Sequence, residues 1–167
     1  MPKRAVINLI LLALIAALAA WLYWTGHNDT HSAPVTVSTI DPNSIDYITV
    51  TRSGQTELQF SKQQAGWRML SPLPAPANNT RIKAMLAIIN ARSYTQLDAA
   101  GLDPDRFGIR DPAVMLKVNN LEFRFGSAAA LDSRRYLLYQ DRVHLIDDGL
   151  FQQLQQPPEF FIQSQAD

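Results

Sequence analysis

Twenty consecutive residues, Ala5 to Trp24 (AVINLILLALIAALAAWLYW), contain only one strongly polar side chain, Asn8. As a helix rising ~1.5 Å per residue, such a run spans roughly 30 Å, the thickness of a bilayer's hydrocarbon core. Lys3 and Arg4 precede it, and no Lys or Arg follows before Arg52. That asymmetry predicts a cytoplasmic N-terminus and an exported remainder. Trp21, Tyr23 and Trp24 cluster at the far end, where amphipathic rings favour the headgroup region. A cleaved signal peptide is the competing reading, because Ala17-Leu18-Ala19 has the small-x-small cleavage pattern. Cleavage there would leave an aromatic-rich N-terminus in water, so the expectation is a retained single-pass anchor over residues 5–24, behind a cytoplasmic stub of residues 1–4. In a bacterium this places the chain in the inner membrane with its C-terminal part in the periplasm.

The remaining length fits one modest domain in a chain of 167 residues. Lys+Arg 15 balance Asp+Glu 15, and without Lys3 and Arg4 the exported part keeps 13 basic residues against 15 acidic. No surplus draws a polyanion, and a nucleic-acid partner is not expected. The chain has no cysteine, which excludes disulfides, thiolate metal sites, Cys nucleophiles and lipid attachment through an N-terminal Cys.

Residues 25–44 read as a linker, polar through Pro34, with the folded part starting near Val35 or Ile45. His27, Asp29 and His31 within it have metal-ligand chemistry, but three ligands on a short flexible stretch carry a large ordering cost. From residue 45 to 156 the pattern is α+β. Ile45–Thr51 and Glu57–Phe60 read as a hairpin around Ser53-Gly54, and Trp67–Leu70 as a third strand. Pro72, Pro74 and Pro76 predict an extended crossover without regular pairing. Asn78 or Asn79 can then cap a helix running to about Ala91, whose stripe is Ile82, Met85, Leu86 and Ile89.

The second half follows the same order of elements. Val114, Leu116 and Val118 alternate with polar positions, Asn119-Asn120 offers a two-residue turn, and Leu121, Phe123 and Phe125 alternate on the return. Such a turn pairs Val118 with Leu121 and Leu116 with Phe123, and sets Lys117 opposite Glu122 on the wet face. Tyr136–Tyr139 and Val143–Ile146 form a further hairpin, and Asp147 or Asp148 opens a closing helix through Gln155. The expected architecture is antiparallel hairpins packed with two helices, in two similar β-β-β-α halves. Residues 157–167 read as a C-terminal tail.

Several of these positions carry a family resemblance. Trp67 with Pro72 five positions on, then Ala77-Asn78 opening a helix, is similar to the Trp…Pro…Ala-Asp segment of the bacterial domain-of-unknown-function family numbered 4340, with Asn78 where Asp is usual. Phe107-Gly108-Ile109-x-x-Pro112, the Phe125-Gly126 strand end, Arg135-Tyr136 and Val143-x-Leu145 resemble that family's later motifs, so that the likeness covers residues 45 to 155. It implies a membrane-anchored extracytoplasmic domain, related in some members to auxiliary components of transporters. It implies no catalytic residue and no cofactor.

Chemistry-bearing patterns are sparse. The one histidine of the expected domain, His144, sits mid-strand between Val143 and Leu145, which places it opposite the core face. Asp103, Asp105, Asp111, Asp147 and Asp148 fall at turn and cap positions. Arg106 and Arg110 flank Phe107-Gly108, and Arg134-Arg135 follow a loop; local pairing with the neighbouring Asp103, Asp105, Asp111 and Asp132 is expected. A fold that brings the arginines together would make them a candidate surface for an anionic glycan, a lipid headgroup or an acidic partner. Phe160 and Phe161 either dock on their own domain or meet a partner. The expectation is a non-enzymatic accessory or scaffolding subunit of an envelope complex, with a membrane-protein partner. The alternative is a binding module for an anionic glycan or lipid headgroup.

Overall fold

The computed structural model describes residues 12–21, 35–130 and 133–163. The chain divides into two compact units, Met1–Pro34 and Val35–Asp167. In the first, residues 12–21 are helical (α1). No helix among the described residues is long and apolar enough to cross a membrane, and the rest of the expected 5–24 span, with Ala5, Tyr23 and Trp24, lies outside them. So do His27, Asp29 and His31.

The second unit is α+β. Its strands are β1 (Tyr47–Arg52), β2 (Leu58–Gln63), β3 (Gly66–Ser71), β4 (Ala75–Pro76), β5 (Thr95–Asp98), β6 (Val114–Val118), β7 (Leu121–Ala128), β8 (Arg134–Tyr139) and β9 (Arg142–Asp147). They form one sheet in the order β4-β3-β2-β1-β6-β7-β8-β9-β5, every neighbouring pair antiparallel. Two four-strand meanders therefore meet back to back through β1 and β6. Each is followed by a helix, α2 (Asn79–Leu86) or α3 (Asp148–Leu154). The two meanders have four strands each rather than three, and β5 adds a ninth strand beside β9. Pro74 and Pro76 do not prevent the extra pairing, because β4 is an edge strand and needs only one ladder.

Local chemistry explains these elements. Asn119 takes a positive φ of 50° in the β6–β7 turn, and the pairs Val118–Leu121, Leu116–Phe123 and Lys117–Glu122 form as the alternation requires. Lys117 and Arg124 both reach Glu122, and the Arg124 hydrogen bond, then Lys117, hold its carboxyl below the ordinary carboxylate range. Asn119 does more than turn the chain. Its Oδ1 accepts from the N–H groups of Asp46 and Tyr47 at 3.0 and 3.1 Å, and its Nδ2 donates to Ser44 O, pinning the start of β1. Asn78 caps α2, accepting from the N–H groups of Thr80 and Arg81. The helix ends at Leu86 rather than Ala91 and continues as a 3-10 turn, Ala87–Asn90. Asp147 caps α3.

Alternate side chains of β1, β2, β3, β6, β7 and β8 enter one core with α2 and α3. Ile48, Val50, Leu58, Phe60, Met69, Leu116, Phe123, Phe125 and Leu137 meet Ile82, Met85, Phe151 and Leu154 there. Each such side chain stabilises the fold by about 1.5–3 kcal/mol through burial.

Two expected boundaries move. Val35–Ser44 belongs to the domain rather than to a linker: Val37 is buried, its N–H donates to Ala91 O, and Thr36 bridges Arg92. The tail is also part of the fold through Gln163. Pro158–Phe161 forms a 3-10 turn, Phe161 is buried edge-on to Phe60 at 5.7 Å, and the N–H of Gln163 donates to Pro76 O.

Candidate functional site

The structure disperses most of the residues singled out in the sequence into structural roles. Gly108 adopts φ +64° where the 3-10 turn Pro104–Phe107 ends, and a Cβ there would lie 2.8 Å from Ser127 N. A Cβ on Gly126 would lie 2.1 Å from Phe107 O. Both glycines exist because the Phe107–Ile109 segment crosses β7 backbone to backbone. Phe107 then meets Tyr136 edge-on at 4.9 Å. Pro112 leads into β6, where Ala113 N–H donates to Phe125 O. Trp67 is buried on β3, its carbonyl accepting from Ala77 N–H, and Pro72 lies in the β3–β4 connection.

The arginines are engaged in different ways. Arg110 pairs with Asp105 at 2.6 Å in the open, and Arg106 is exposed beside it. Arg110's guanidinium is held above its ordinary value by that hydrogen bond and by nearby carboxylates. Arg135 is largely withdrawn: it pairs with Asp148 at 2.6 Å, donates to Gly126 O and lies 3.6 Å from the Phe151 ring centroid. It fastens β8 to the first turn of α3. Phe161 is a core residue and offers nothing to a partner; Phe160 is half-buried under the Arg81 guanidinium, 4.2 Å from its ring centroid.

Arg134 joins a cationic–aromatic grouping with residues the sequence pattern did not single out. Its guanidinium lies 4.0 Å from the Tyr94 ring centroid, and that of Arg92 lies 5.0 Å from the same ring. Tyr94 is 42% exposed and immediately precedes β5. Leu97, on β5, is 38% exposed.

The two ends of the sheet differ. β4 is two residues long, proline-bearing and overlain by the Ala77–Ile162 bridge. Among the described residues, β5 pairs with β9 alone. In that ladder the N–H of Ala99 donates to Asp141 O, so residues 95, 97 and 99 face β9 and the backbone groups of Gln96 and Asp98 point away from it. A short run of strand edge is thus presented between an aromatic residue with two arginines and an exposed leucine.

His144 is on the core face, not opposite it. It is 2% exposed, and its Nδ1 lies 3.0 Å from Ser93 Oγ. The alternation misleads because Val143, on the other face, is also buried, beneath the Leu97 and Tyr136 side of the sheet. Burial, reinforced by Arg142, pushes the imidazole below its ordinary value of 6.5. The second buried ionisable group is Arg52 on β1. Its Nη1 donates to Gln156 O at 2.7 Å beyond the end of α3, and its Nε is buried without a partner among the described residues. Desolvation lowers its affinity for a proton. Among the described residues no group of three His, Asp or Glu side chains is placed to hold a metal ion.

A groove of about 530 Å³ lies where the β2–β3 hairpin meets the first turns of α2 and the Pro42-Asn43 segment. Lys62, Lys83, Asn79, Gln64 and Trp67 line it. No family model, curated protein or solved structure matches the chain.

Proposed function

We propose that this chain is a membrane-anchored, non-enzymatic accessory subunit of an envelope complex, and that its domain receives a partner protein at the β5 end of the sheet. The observation that carries the reading is the unequal treatment of the two sheet edges. β4 is blocked by proline and by the C-terminal segment, whereas β5 leaves the backbone groups of Gln96 and Asp98 outward. An extended segment that pairs with such an edge gains main-chain hydrogen bonds, and flanking side chains select it. Here Tyr94 with Arg92 and Arg134 would favour a segment carrying a carboxylate, and Leu97 an apolar side chain.

The anchor is the second element of the reading. It rests on the apolar run 5–24, the Lys3-Arg4 asymmetry and the resemblance of residues 45–155 to a family of anchored extracytoplasmic domains. Tethering in the membrane plane raises the local concentration near membrane-borne partners, so that a short edge contact suffices. The test is affinity purification of the full chain from gently solubilised native membranes. A stoichiometric membrane protein should co-purify with the wild type and be lost with Gln96→Pro, which removes an outward N–H. Purification of the wild type alone, or a partner retained by Gln96→Pro, contradicts the reading.

A further inference from the structure

The groove beside α2 is distinct from the β5 edge, and its chemistry is one-sided. Among the described residues its charged lining groups are the ammonium groups of Lys62 and Lys83, with no carboxylate beside them, although beyond Arg4 the chain carries more acidic than basic residues. Lys62 Nζ donates to Asn43 O at 2.6 Å, which holds it over the groove and uses one of its three N–H groups. Lys83 Nζ has no hydrogen-bond partner among the described residues.

Asn79 adds a fixed donor. Its Oδ1 accepts from Trp67 N–H at 2.9 Å, which orients the amide and leaves both Nδ2 hydrogens for the groove. The arrangement depends on Gly66, at φ +120°, because a Cβ there would lie 2.7 Å from Asn79 Nδ2. Trp67 contributes an apolar wall and Gln64 a carboxamide. The lining thus offers charged and neutral donors, an aromatic edge and adaptable amides, within the volume range of small-molecule sites.

From this set we propose that the groove binds an acidic saccharide: a sugar whose carboxylate or phosphate sits between Lys62 and Lys83, with its hydroxyls on Asn79 and Gln64 and its apolar carbons against the exposed edge of Trp67. The inference does not rest on the β5 contact, and each survives the failure of the other.

The test is isothermal titration of the full chain in detergent with glucuronate, glucose 1-phosphate and inorganic phosphate as probes. Saturable binding of one of the two sugars is expected, weakened about tenfold or more by Lys62→Gln or Lys83→Gln and by added salt. The decisive variant is Asn79→Asp. It keeps the oxygen that accepts from Trp67 N–H and suits a helix N-terminus, so the fold persists, but it puts a carboxylate where the Nδ2 donors were. Binding should be abolished with the melting temperature unchanged. No saturable binding of either sugar, or binding that Asn79→Asp leaves intact, overturns the proposal. Inorganic phosphate bound as tightly as glucose 1-phosphate overturns the saccharide assignment.

Discussion

His144 Nδ1 and Ser93 Oγ lie 3.0 Å apart in the interior, and the hydroxyl settles which of them donates. Ser93 Oγ donates to Thr95 O at 3.0 Å, so its oxygen is left to accept and the imidazole carries its proton on Nδ1. The contact thereby ties the segment before β5 to β9.

A pH dependence follows. The folded imidazole binds a proton less readily than the unfolded one, whose ordinary value is 6.5. Below that value the unfolded state takes up the extra proton, so stability is level above about pH 6.5 and falls as the pH drops toward the depressed value, at up to about 1.4 kcal/mol per pH unit. Glu122, also depressed, loses its contribution only below its ordinary 4.5. Urea midpoints between pH 5 and 7.5 should therefore slope for the wild type and flatten for His144→Leu. A wild-type midpoint independent of pH in that window contradicts the burial.

Gly126→Ala tests the crossing of the Phe107–Ile109 segment over β7. The added methyl would meet Phe107 O at 2.1 Å, backbone that has nowhere flexible to go. A loss of about 1–3 kcal/mol is expected from overpacking. Denaturant unfolding measures it, and a change within about 0.5 kcal/mol would mean that the segment is free to lift away.

Arg52 separates charge from volume. Its guanidinium is buried against Gln156 O with no carboxylate partner among the described residues, so desolvation offsets much of what that hydrogen bond contributes. Arg52→Met keeps the stem and should alter stability by no more than about 1 kcal/mol. Arg52→Ala empties the site and should cost about 2 kcal/mol or more. Equal losses for the two variants, read from chemical denaturation, would show that the charge matters more than the packing.

Phe161→Ala should cost about 3–5 kcal/mol, because its ring packs on Phe60 in the core. Phe160→Ala should cost about 1 kcal/mol, the loss of a half-exposed ring beneath Arg81. Melting temperatures of the two variants check the order. The reverse order would return the C-terminal segment to the role of a detachable tail.

Legibility in the sequence followed how local the determinants are. The β6–β7 hairpin was readable down to its pairs because Asn119-Asn120 and strict alternation specify one register. β5 was not, since Thr95–Asp98 lacks alternation and its partner, β9, lies far along the chain. Val35–Ser44 reads as linker for the same reason: its partners, in residues 89–93 and at Lys62 and Asn119, lie far along the chain. Alternation alone puts His144 on the wrong face because β9 is apolar on both sides. The arginines were visible as charges, but only the fold shows that Arg135 is consumed by Asp148 and that Arg134 joins Arg92 at Tyr94.

The most direct measurement is site-specific photo-crosslinking of the full chain in native membranes, with the reactive side chain at Leu97 beside the open edge and, as control, at Leu73 beside the blocked one. The account predicts one discrete membrane-protein adduct from position 97 and none from position 73. Adducts from both positions alike, or from neither, would contradict it.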